Sequence, residues 1–410
     1  MKNRMKVLLV NKFHFMKGGA ETYYFTLAEA LKRAGHSVIF FSMKHEKNLP
    51  CDEEKYFVRK KEYNERTNAF DKIKAFKSFV YSKEAYSNIS KLIEDEKPDI
   101  AFLNNVHRQL TTSVVDALYD HKIRIIWVVH DLIMLCPNYQ MLDGKGIVCE
   151  ECCEGKFKNC IKKKCVKKSY LKSFLAYKEA VFNKKHGTYE KIDLFITPSL
   201  FYRNKLIEYH FNADKVIYVP NPLSFGTKCI VSDLDEHYFL YFGRLSREKG
   251  IDLLINTVKG TEYKLLIVGS GPMENELKRL AAYSENIEFK GFQTGEILYD
   301  YIKKSRCVVL PSQWYENGPY SAMEAMSLGK PLIVSNMGGL PELVENGING
   351  YVFQDANSLK DALKRMIELD DKAYQSMSVA SCEKAKKMFN ANNYLQKIGF
   401  ASPTLNNNEN

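Results

Sequence analysis

From Lys6 to Phe41 the chain reads KVLLVNKFHFMKGGAETYYFTLAEALKRAGHSVIFF. Its first apolar run, Lys6–Val10, is typical of a buried parallel strand. A loop ending in two glycines follows, then apolar residues at helical spacing, and then Gly35, a common residue at helix ends. Ser37–Phe41 is a second apolar run. The order strand, glycine loop, helix and strand predicts a βαβ unit that opens a doubly wound parallel sheet.

The same alternation of apolar runs and helical spacing continues through most of the chain. Because 410 residues exceed what one hydrophobic core usually serves, we expect two domains. The predicted fold class is α/β, with two Rossmann-like doubly wound domains facing a central cleft. The predicted boundaries are 1–222, with a cysteine-rich insertion at 136–168, then 223–390. Residues 391–410 are expected to pack back toward the first domain and to end in a disordered tail.

Individual elements follow from the same pattern. Strands are predicted at 98–103, 124–129, 193–198, 215–220, 238–242, 263–268, 287–289, 307–310, 331–334 and 350–353. Helices are predicted at 72–96, 169–186, 251–258, 272–283, 295–304, 319–328, 339–345 and 358–368. Between 44 and 75 we expect a charged insertion or long loop with some helix, and between about 220 and 235 an interdomain linker.

Composition excludes several classes of protein. With 45% hydrophobic residues the chain is neither disordered nor collagen-like. No apolar run approaches the roughly 20 residues of a membrane-spanning helix, and the opening apolar run is too short for a signal peptide. A cytoplasmic protein is therefore expected. Lys and Arg outnumber Asp and Glu 39 to 26 in residues 1–222, against 21 to 23 in the rest, which suggests a polyanionic partner for the first half.

The stretch 311–329 carries the most chemical information. Glu316 lies in a loop after a predicted strand, and Glu324 lies inside the following helix, so both carboxylates can flank one ligand. Carboxylates accept hydrogen bonds from pairs of sugar hydroxyls, and the N-terminus of the helix is a natural anion site. In an arbitrary chain these residues would be a cap-region glutamate and a solvated helix glutamate.

Neighbouring strand ends favour the ligand interpretation. Arg244 and Lys249 follow one predicted strand and could bind a diphosphate. Gly269 and Gly271 follow the next strand, where backbone can approach a ligand closely. The Gly18-Gly19 pair lacks the third glycine of a dinucleotide fingerprint, so NAD is not expected.

Together these motifs resemble family 4 glycosyltransferases of the GT-B fold, of the bacterial surface-polysaccharide type. The resemblance runs from Met5 to about Tyr394. It rests on Gly18-Gly19-Ala20-Glu21, Val129-His130-Asp131, Gly243-Arg244 with Lys249-Gly250, Gly269-Ser-Gly-Pro272, the Glu316 and Glu324 pair, and Gly338-Gly339-Leu-Pro-Glu342.

The resemblance implies roles for these residues. Arg244 and Lys249 would hold the donor diphosphate, Glu316 the donor sugar, and Glu324 the ribose hydroxyls. His130 would touch the donor sugar and line the reaction centre. Gly18 and Gly19, which are also assigned to donor binding, would let the first loop approach the phosphates and the acceptor. The remaining donor-binding residues are Gly269, Gly271, Asn317 and Gly318.

The resemblance also implies a mechanism. Transfer would retain the anomeric configuration through a front-face reaction, with the cations stabilising the leaving diphosphate and no catalytic metal. The first glutamate is followed by Asn317-Gly318-Pro319 rather than the commoner aromatic-glycine pattern, which leaves the donor sugar open. Asp131 would orient a loop or His130. Asn105 and His107 are weaker candidates on the acceptor side.

Five of the ten cysteines fall within 17 residues. Cys-x2-Cys spacing with a second pair predicts a structural zinc site. Free thiols and an iron–sulfur cluster are the alternatives. The nominated ligands are Cys149, Cys152, Cys160 and Cys165.

A basic helix follows the cysteines. Residues 162–185 contain nine lysines and one glutamate, interleaved with aromatic residues. Such a run is usually a solvated face, but it can also rest on an anionic membrane. The expected partners are a nucleotide sugar, a glycan or lipid-linked acceptor, and the inner membrane surface, without nucleic acid. Alternatives are another GT-B enzyme, either a nucleotide-sugar epimerase or a phosphorylase, or a zinc-dependent nucleic-acid-binding protein.

Overall fold

A computed structural model describes residues 4–60, 78–223, 231 and 235–400 of the chain. The chain divides into two units. The first holds the described residues up to Pro222 together with those from Ala391 onward, and the second is Leu223–Asn390. Each unit contains one six-stranded sheet whose neighbouring strands are parallel. The predicted α/β class of two doubly wound units is therefore confirmed.

The first unit is built on strands whose residues are mostly buried, as expected for a parallel sheet covered on both faces. They are β1 (Lys6–Val10), β2 (Ser37–Phe41), β3 (Ile100–Leu103), β4 (Arg124–Val128), β5 (Leu194–Thr197) and β6 (Val216–Tyr218). Their order across the sheet is β2-β1-β3-β4-β5-β6. The strand order reverses beside β1, and ligands bind outside the carboxyl ends of the strands at such a point.

Helices connect these strands. They are α1 (Gly19–Arg33), α2 (Lys83–Glu96), α3 (Ser113–Asp120), α4 (Lys158–Lys162), α5 (Tyr170–Lys185) and α6 (Leu200–Glu208). In α1 the buried side chains Tyr23, Leu27 and Leu31 recur every four residues and form one apolar stripe. After the first residue, the exposed positions of α1 are Lys32 and Arg33, so its pattern is that of a helix covering a sheet.

The second unit has its own sheet and helices. The strands are β7 (Tyr238–Phe242), β8 (Lys264–Val268), β9 (Ile287–Gly291), β10 (Cys307–Leu310), β11 (Leu332–Ser335) and β12 (Gly350–Phe353). The helices are α7 (Ile251–Val258), α8 (Glu274–Leu280), α9 (Gly295–Lys304), α10 (Tyr320–Ser327), α11 (Ala356–Glu368) and α12 (Asp371–Met388). The strand order is β12-β11-β10-β7-β8-β9, that of a Rossmann sheet.

The chain returns to the first unit at its end. There α13 (Ala391–Lys397) follows α12, and the hydroxyls of Tyr394 and Tyr23 are hydrogen-bonded. The Phe400 ring lies 5.9 Å from Phe102 and 5.1 Å from His36. These aromatic contacts bury the segment against α1 and β3.

Several predicted boundaries need correction. The helix predicted over 72–96 is interrupted: residues 78–80 are helical, and after a break at 81–82 α2 begins at Lys83, where the Ser82 side chain accepts from Ala85 N and caps it. Residues 72–77 lie outside the described part, as do most of the predicted linker and the predicted disordered tail after 400. The helix predicted at 339–345 is a short 3-10 turn, Leu340–Leu343, with a proline near its start.

One long helix was not predicted. α12 buries a face made of small or polar side chains, including Ser378, Ser381 and Ala385, beside Tyr374 and Met377. A sequence search for large apolar residues at helical spacing misses such a face. In the part of the chain that the structure describes, no helix is both long enough and apolar enough to cross a membrane.

Candidate functional site

In the second unit, the loop after β7 carries two cations. Arg244 is exposed, while Lys249 ends a 3-10 turn and is partly buried. Gly250 follows with a φ of +64°, and a Cβ there would lie 2.0 Å from the Pro311 carbonyl oxygen. Only glycine fits both constraints, so the loops after β7 and β10 are packed tightly together. This contact holds the loop residue Lys249 close to the loop that carries Glu316.

Glu316 lies in the loop after β10 and is 5% exposed. The Lys249 ammonium donates to Glu316 Oε1 over 2.6 Å, and the Ser312 hydroxyl donates to the same oxygen over 2.5 Å. Burial raises the pKa of Glu316, but the Lys249 charge and these hydrogen bonds outweigh it, so the pKa lies below its usual value. The carboxylate is therefore ionised at neutral pH, and Oε2 is the oxygen not used in either bond.

Glycines hold the neighbouring strand-end loops against one another. A Cβ on Gly269 would lie 1.9 Å from the Gly243 carbonyl oxygen, and one on Gly271 would lie 2.3 Å from that of Leu245. The two predicted donor-site glycines therefore serve packing within the unit. Their loop after β8 is held directly beside the cation-bearing loop after β7.

Two residues without a predicted site role hold Glu316 in place. Ser312 donates to its carboxylate. Gly338, after β11, has a φ of +63°, and a Cβ there would lie 2.3 Å from the Glu316 carbonyl oxygen. The Gly339 N–H then donates to that oxygen over 2.7 Å. The glycine pair was visible in the sequence, but its partner was not, because the contact joins segments over twenty residues apart.

Glu324 lies within α10, and Asn317 and Gly318 lie in the partly exposed loop between Glu316 and that helix. Burial raises the pKa of Glu324 to about 7. The two predicted sugar-binding carboxylates thus differ in charge state: Glu316 is held ionised by a cation, whereas Glu324 titrates near neutrality. A ligand that donates hydroxyl hydrogens would stabilise the ionised form of Glu324.

In the first unit, His130 follows β4 and meets the end of β3. Its Nε2 lies 2.8 Å from Asn104 Oδ1, while the Asn104 amide nitrogen donates to the Val10 carbonyl oxygen. Since an amide oxygen only accepts, Nε2 carries the proton and Nδ1 is the acceptor. Burial lowers the pKa of His130 to about 3, so the imidazole is neutral at physiological pH.

Gly18 and Gly19 precede and begin α1, and both are exposed. A Cβ on Gly18 would meet nothing nearer than Glu21 Oε2 at 3.9 Å. Packing within the unit therefore does not require glycine at position 18. Close approach of a ligand to the backbone would explain a glycine at this position.

The weaker first-unit candidates have structural partners. His107 Nδ1 lies 3.1 Å from Glu179 Oε1 on α5, inside the unit. The Asn105 N–H donates to Asn11 Oδ1 over 3.2 Å. Asp131 Oδ1 accepts from Ile133 N over 3.1 Å, which fits the predicted role of orienting a loop.

Two family models cover this chain almost from end to end. Residues 17–224 match the model described as Glycosyltransferase Family 4, and residues 228–384 match Glycosyl transferases group 1. The first match alone spans half of the chain. The chain belongs to glycosyltransferase family 4.

Relatives of this family 4 glycosyltransferase include a 42.6 kDa protein of the cps region of Klebsiella pneumoniae. It is 25% identical over 382 residues, covering 90% of this chain and 94% of that protein. The amylovoran biosynthesis glycosyltransferase AmsK of Erwinia amylovora is 27% identical over 192 residues, 42% of this chain and 47% of AmsK. Among solved structures, Anabaena HepE in complex with UDP-glucose has a TM-score of 0.66 at 16% identity, covering 96% of this chain and 98% of HepE.

The cysteine-rich insertion of this family 4 glycosyltransferase forms a small core of its own. Cys152 and Cys160 are buried there with Phe157, Val166 and Ala176, and Cys165 packs against them. Cys160 and Cys165 are hydrogen-bonded to each other, which raises the pKa of Cys160 and lowers that of Cys165.

The predicted zinc site is not supported by this geometry. Among the described residues, no group of three or more His, Cys, Asp and Glu side chains is arranged to hold a metal ion. Of the four nominated ligands, Cys160 and Cys165 contact each other, and the Lys163 ammonium lies 3.5 Å from Cys149 Sγ. Packing and these polar contacts hold the insertion together.

Proposed function

We propose that this protein is a retaining glycosyltransferase that moves a hexose from a nucleoside-diphosphate donor to a glycan or lipid-linked acceptor in capsule or O-antigen-type polysaccharide synthesis. The Lys249–Glu316 ion pair carries the proposal. It joins a cation suited to a diphosphate with a carboxylate suited to sugar hydroxyls, at the carboxyl edge of a Rossmann sheet. A transferase using a nucleotide sugar needs both groups beside each other.

The donor would be bound by the second unit. Arg244 is exposed, and in the described part of the chain no carboxylate forms an ion pair with it, so its guanidinium can bind phosphate oxygens in a bidentate manner. Lys249 would add a second positive charge. Glu316 Oε2 would accept from the hexose hydroxyls, and the ionised form of Glu324 from the ribose hydroxyls.

The chemical step needs stabilisation of a leaving group more than an acid or a base. The acceptor oxygen forms a bond to the anomeric carbon while the bond from that carbon to the β-phosphate oxygen breaks, and the acceptor proton passes to the leaving phosphate. The products are the glycoside and the nucleoside diphosphate. Arg244 and Lys249 would stabilise the developing charge, which supplies catalysis without a metal ion.

The neutral imidazole of His130 fits a binding role. With Nε2 donating to Asn104, Nδ1 is left to accept from a substrate hydroxyl. A group with a pKa of about 3 cannot act as a general acid near neutral pH. We therefore assign His130 to orientation of the substrate.

The biological setting is inferred from the relatives. AmsK is named for amylovoran biosynthesis, and the Klebsiella relative for the cps region. Because HepE is described in complex with UDP-glucose, uridine diphosphate sugars are the first donors to test. An acceptor that is itself anchored in lipid would place this enzyme at the inner face of the cell membrane.

A thermal-shift screen against UDP-, GDP- and ADP-sugars tests the proposed donor site. One class of donor should stabilise the wild type, and Arg244→Ala should abolish the shift. Arg247→Ala is the matched control, because it removes an equal exposed charge three residues away. Stabilisation by none of the donors, or equal loss in both variants, contradicts the proposal.

A phosphorylase or an epimerase would give different products from the same candidate site residues. A phosphorylase would consume inorganic phosphate and release a sugar phosphate. An epimerase would release nucleotide and free sugar at full rate without an acceptor. Transfer that depends on an added glycan or lipid-linked acceptor, with stoichiometric release of nucleoside diphosphate, distinguishes the transferase from both.

A further inference from the structure

The start of α5 exposes two large apolar side chains next to each other in sequence. Tyr170 is 63% exposed and Leu171 is 66% exposed, on the first turn of the helix. Leaving adjacent large apolar residues open to water costs free energy unless a partner covers them. They are therefore a candidate docking point.

Lysines surround this pair. From 155 to 178 the chain contains nine lysines and no aspartate or glutamate. Lys164, Lys167, Lys168 and Lys172 are exposed, and in the described part of the chain none of them forms an ion pair. Within this stretch, Lys156 and Lys163 form ion pairs, with Glu154 and Glu151 respectively. We call the six residues Lys164, Lys167, Lys168, Tyr170, Leu171 and Lys172 the basic wedge.

Contacts with the cysteine-rich core hold the backbone of the basic wedge in one conformation. Lys164, Lys167 and Lys168 have φ values of 49°, 51° and 55°, in the left-handed region that lysine rarely adopts. Val166 between them is buried in the cysteine-rich core, and its N–H donates to the Ser173 hydroxyl over 3.0 Å. Strained backbone persists only where the surrounding structure imposes it.

The neighbouring loop supports the wedge as well. Gly144 is packed so closely that a Cβ there would lie 2.0 Å from the Lys163 carbonyl oxygen. The Ser169 side chain accepts from Lys172 N and caps α5. These contacts, together with the buried thiols, support the backbone of the basic wedge. Its exposed side chains have no packing role inside the unit.

We propose that the basic wedge docks this enzyme on an anionic phospholipid bilayer, with Tyr170 and Leu171 entering the interface and the four lysines pairing with lipid phosphates. Charge complementarity supports this occupant, since a stretch of nine lysines without an acidic residue is attracted to an anionic leaflet. The apolar pair Tyr170 and Leu171, flanked by lysines, is complementary to a bilayer, in which phosphate groups lie above an apolar interior. The inference rests on the proposed function in one respect: it supplies the position of the enzyme relative to a lipid-linked acceptor.

Sedimentation with vesicles tests the docking surface. The wild type should bind vesicles of phosphatidylcholine containing about one third phosphatidylglycerol, and should remain in solution with phosphatidylcholine alone. Raising the salt from about 0.1 M to about 0.5 M should weaken binding strongly, because the Debye length shrinks. Binding to neither vesicle, or equally to both, overturns the proposal.

Two sets of variants locate the surface. Lys167→Gln/Lys168→Gln/Lys172→Gln should weaken vesicle binding about a hundredfold, and Tyr170→Ser/Leu171→Ser about tenfold. The charge control is Lys360→Gln/Lys386→Gln/Lys387→Gln, which makes the same change in net charge with exposed lysines of the second unit. The apolar control is Tyr283→Ser, at a fully exposed tyrosine. Equal losses in controls and wedge variants overturn the assignment.

Other measurements separate this proposal from the proposed function. Each wedge variant should keep the wild-type thermal midpoint and the wild-type shift with nucleotide sugar. If nucleotide sugar causes no thermal shift while vesicle binding follows the stated pattern, the proposed donor site is refuted and the proposed docking surface is supported. Binding of single-stranded RNA that depends on the same lysines, without vesicle binding, would overturn the membrane assignment in favour of a nucleic acid.

Discussion

The Lys249 ammonium donates to Glu316 Oε1 over 2.6 Å, so one contact links the cation proposed for the donor phosphate to the carboxylate proposed for the donor sugar. Ser312 donates to the same oxygen, which leaves Glu316 Oε2 directed to other partners. The pair therefore orders both groups before substrate arrives. Preorganisation of this kind lowers the cost of binding and of reaching the transition state.

Replacing Glu316 should separate sugar binding from phosphate binding. In Glu316→Ala the Lys249 ammonium loses its carboxylate and is freed to pair with phosphate, so affinity for the bare nucleoside diphosphate should stay within about threefold of wild type or rise. Affinity for the nucleotide sugar should fall about tenfold, since the sugar loses an acceptor. Calorimetric titration with both ligands measures the difference, and parallel losses for the two would refute the assigned roles.

The affinity for nucleotide should depend on pH through Glu324. Its pKa is raised to about 7 by burial, so below that pH the carboxyl is neutral and loses acceptor capacity for ribose hydroxyls. Affinity should therefore rise between about pH 6 and pH 8. Glu324→Gln should remove this rise and bind about tenfold more weakly at pH 8. Glu368→Gln, at an exposed glutamate, should keep the wild-type profile.

Stability without ligand should show the opposite trend. A carboxyl whose folded pKa exceeds its unfolded value of 4.5 stabilises the fold below that value, and this contribution is lost as pH rises to about 7. The free energy of unfolding of Glu324→Gln should therefore decrease less than that of wild type over this range. Urea titrations at several pH values measure it, and parallel curves would contradict the raised pKa.

A single methyl group at Gly338 should disturb Glu316. Gly338→Ala would place a Cβ 2.3 Å from the Glu316 carbonyl oxygen, so the loop must move and nucleotide-sugar binding should weaken about tenfold or more. The matched control is Gly347→Ala, because Gly347 also has a positive φ, +81°, but nothing lies within 4 Å of the added carbon. That variant should lose about 1 kcal/mol of stability and keep donor binding. Equal binding by both variants would refute the role of Gly338.

His130 should contribute a hydrogen bond rather than a titrating proton. His130→Phe leaves the buried Asn104 oxygen without its donor and should lower the free energy of unfolding by about 1–3 kcal/mol more than His130→Gln, which can still donate. Neither variant should shift the pH dependence of turnover between pH 5 and 8, because the wild-type imidazole is already neutral there. A lost ionisation in that range would show that His130 works as an acid or base.

Much of the fold was predictable because buried parallel strands appear in the sequence as short continuous apolar runs. β1, β2, β7, β10 and β12 have the boundaries that their apolar residues indicate. α12 was missed because its buried face uses small and polar side chains. The break at residues 81–82, just before α2, was missed because a single side-chain hydrogen bond, from Ala85 N to the Ser82 hydroxyl, determines where that helix begins.

The sequence predicts which loops carry the site residues, but it does not predict the contacts between those residues. The sequence places Arg244, Lys249 and Glu316 after strands of one sheet, and parallel strands end at one edge. It does not show that Lys249 binds Glu316, or that Gly338 supports it, since both contacts depend on packing between distant segments. The cysteine spacing predicted a metal site because ligand spacing is a local pattern, whereas ligand geometry depends on packing.

The anomeric configuration of the first released sugar tests the central claim most directly. Using the α-linked nucleotide sugar that gives the largest thermal shift, proton NMR follows the slow hydrolysis of donor without acceptor. The account predicts release of nucleoside diphosphate together with the α-anomer before mutarotation, and loss of both in Arg244→Ala but not in Arg247→Ala. Initial release of the β-anomer, or turnover unchanged by Arg244→Ala, would contradict it.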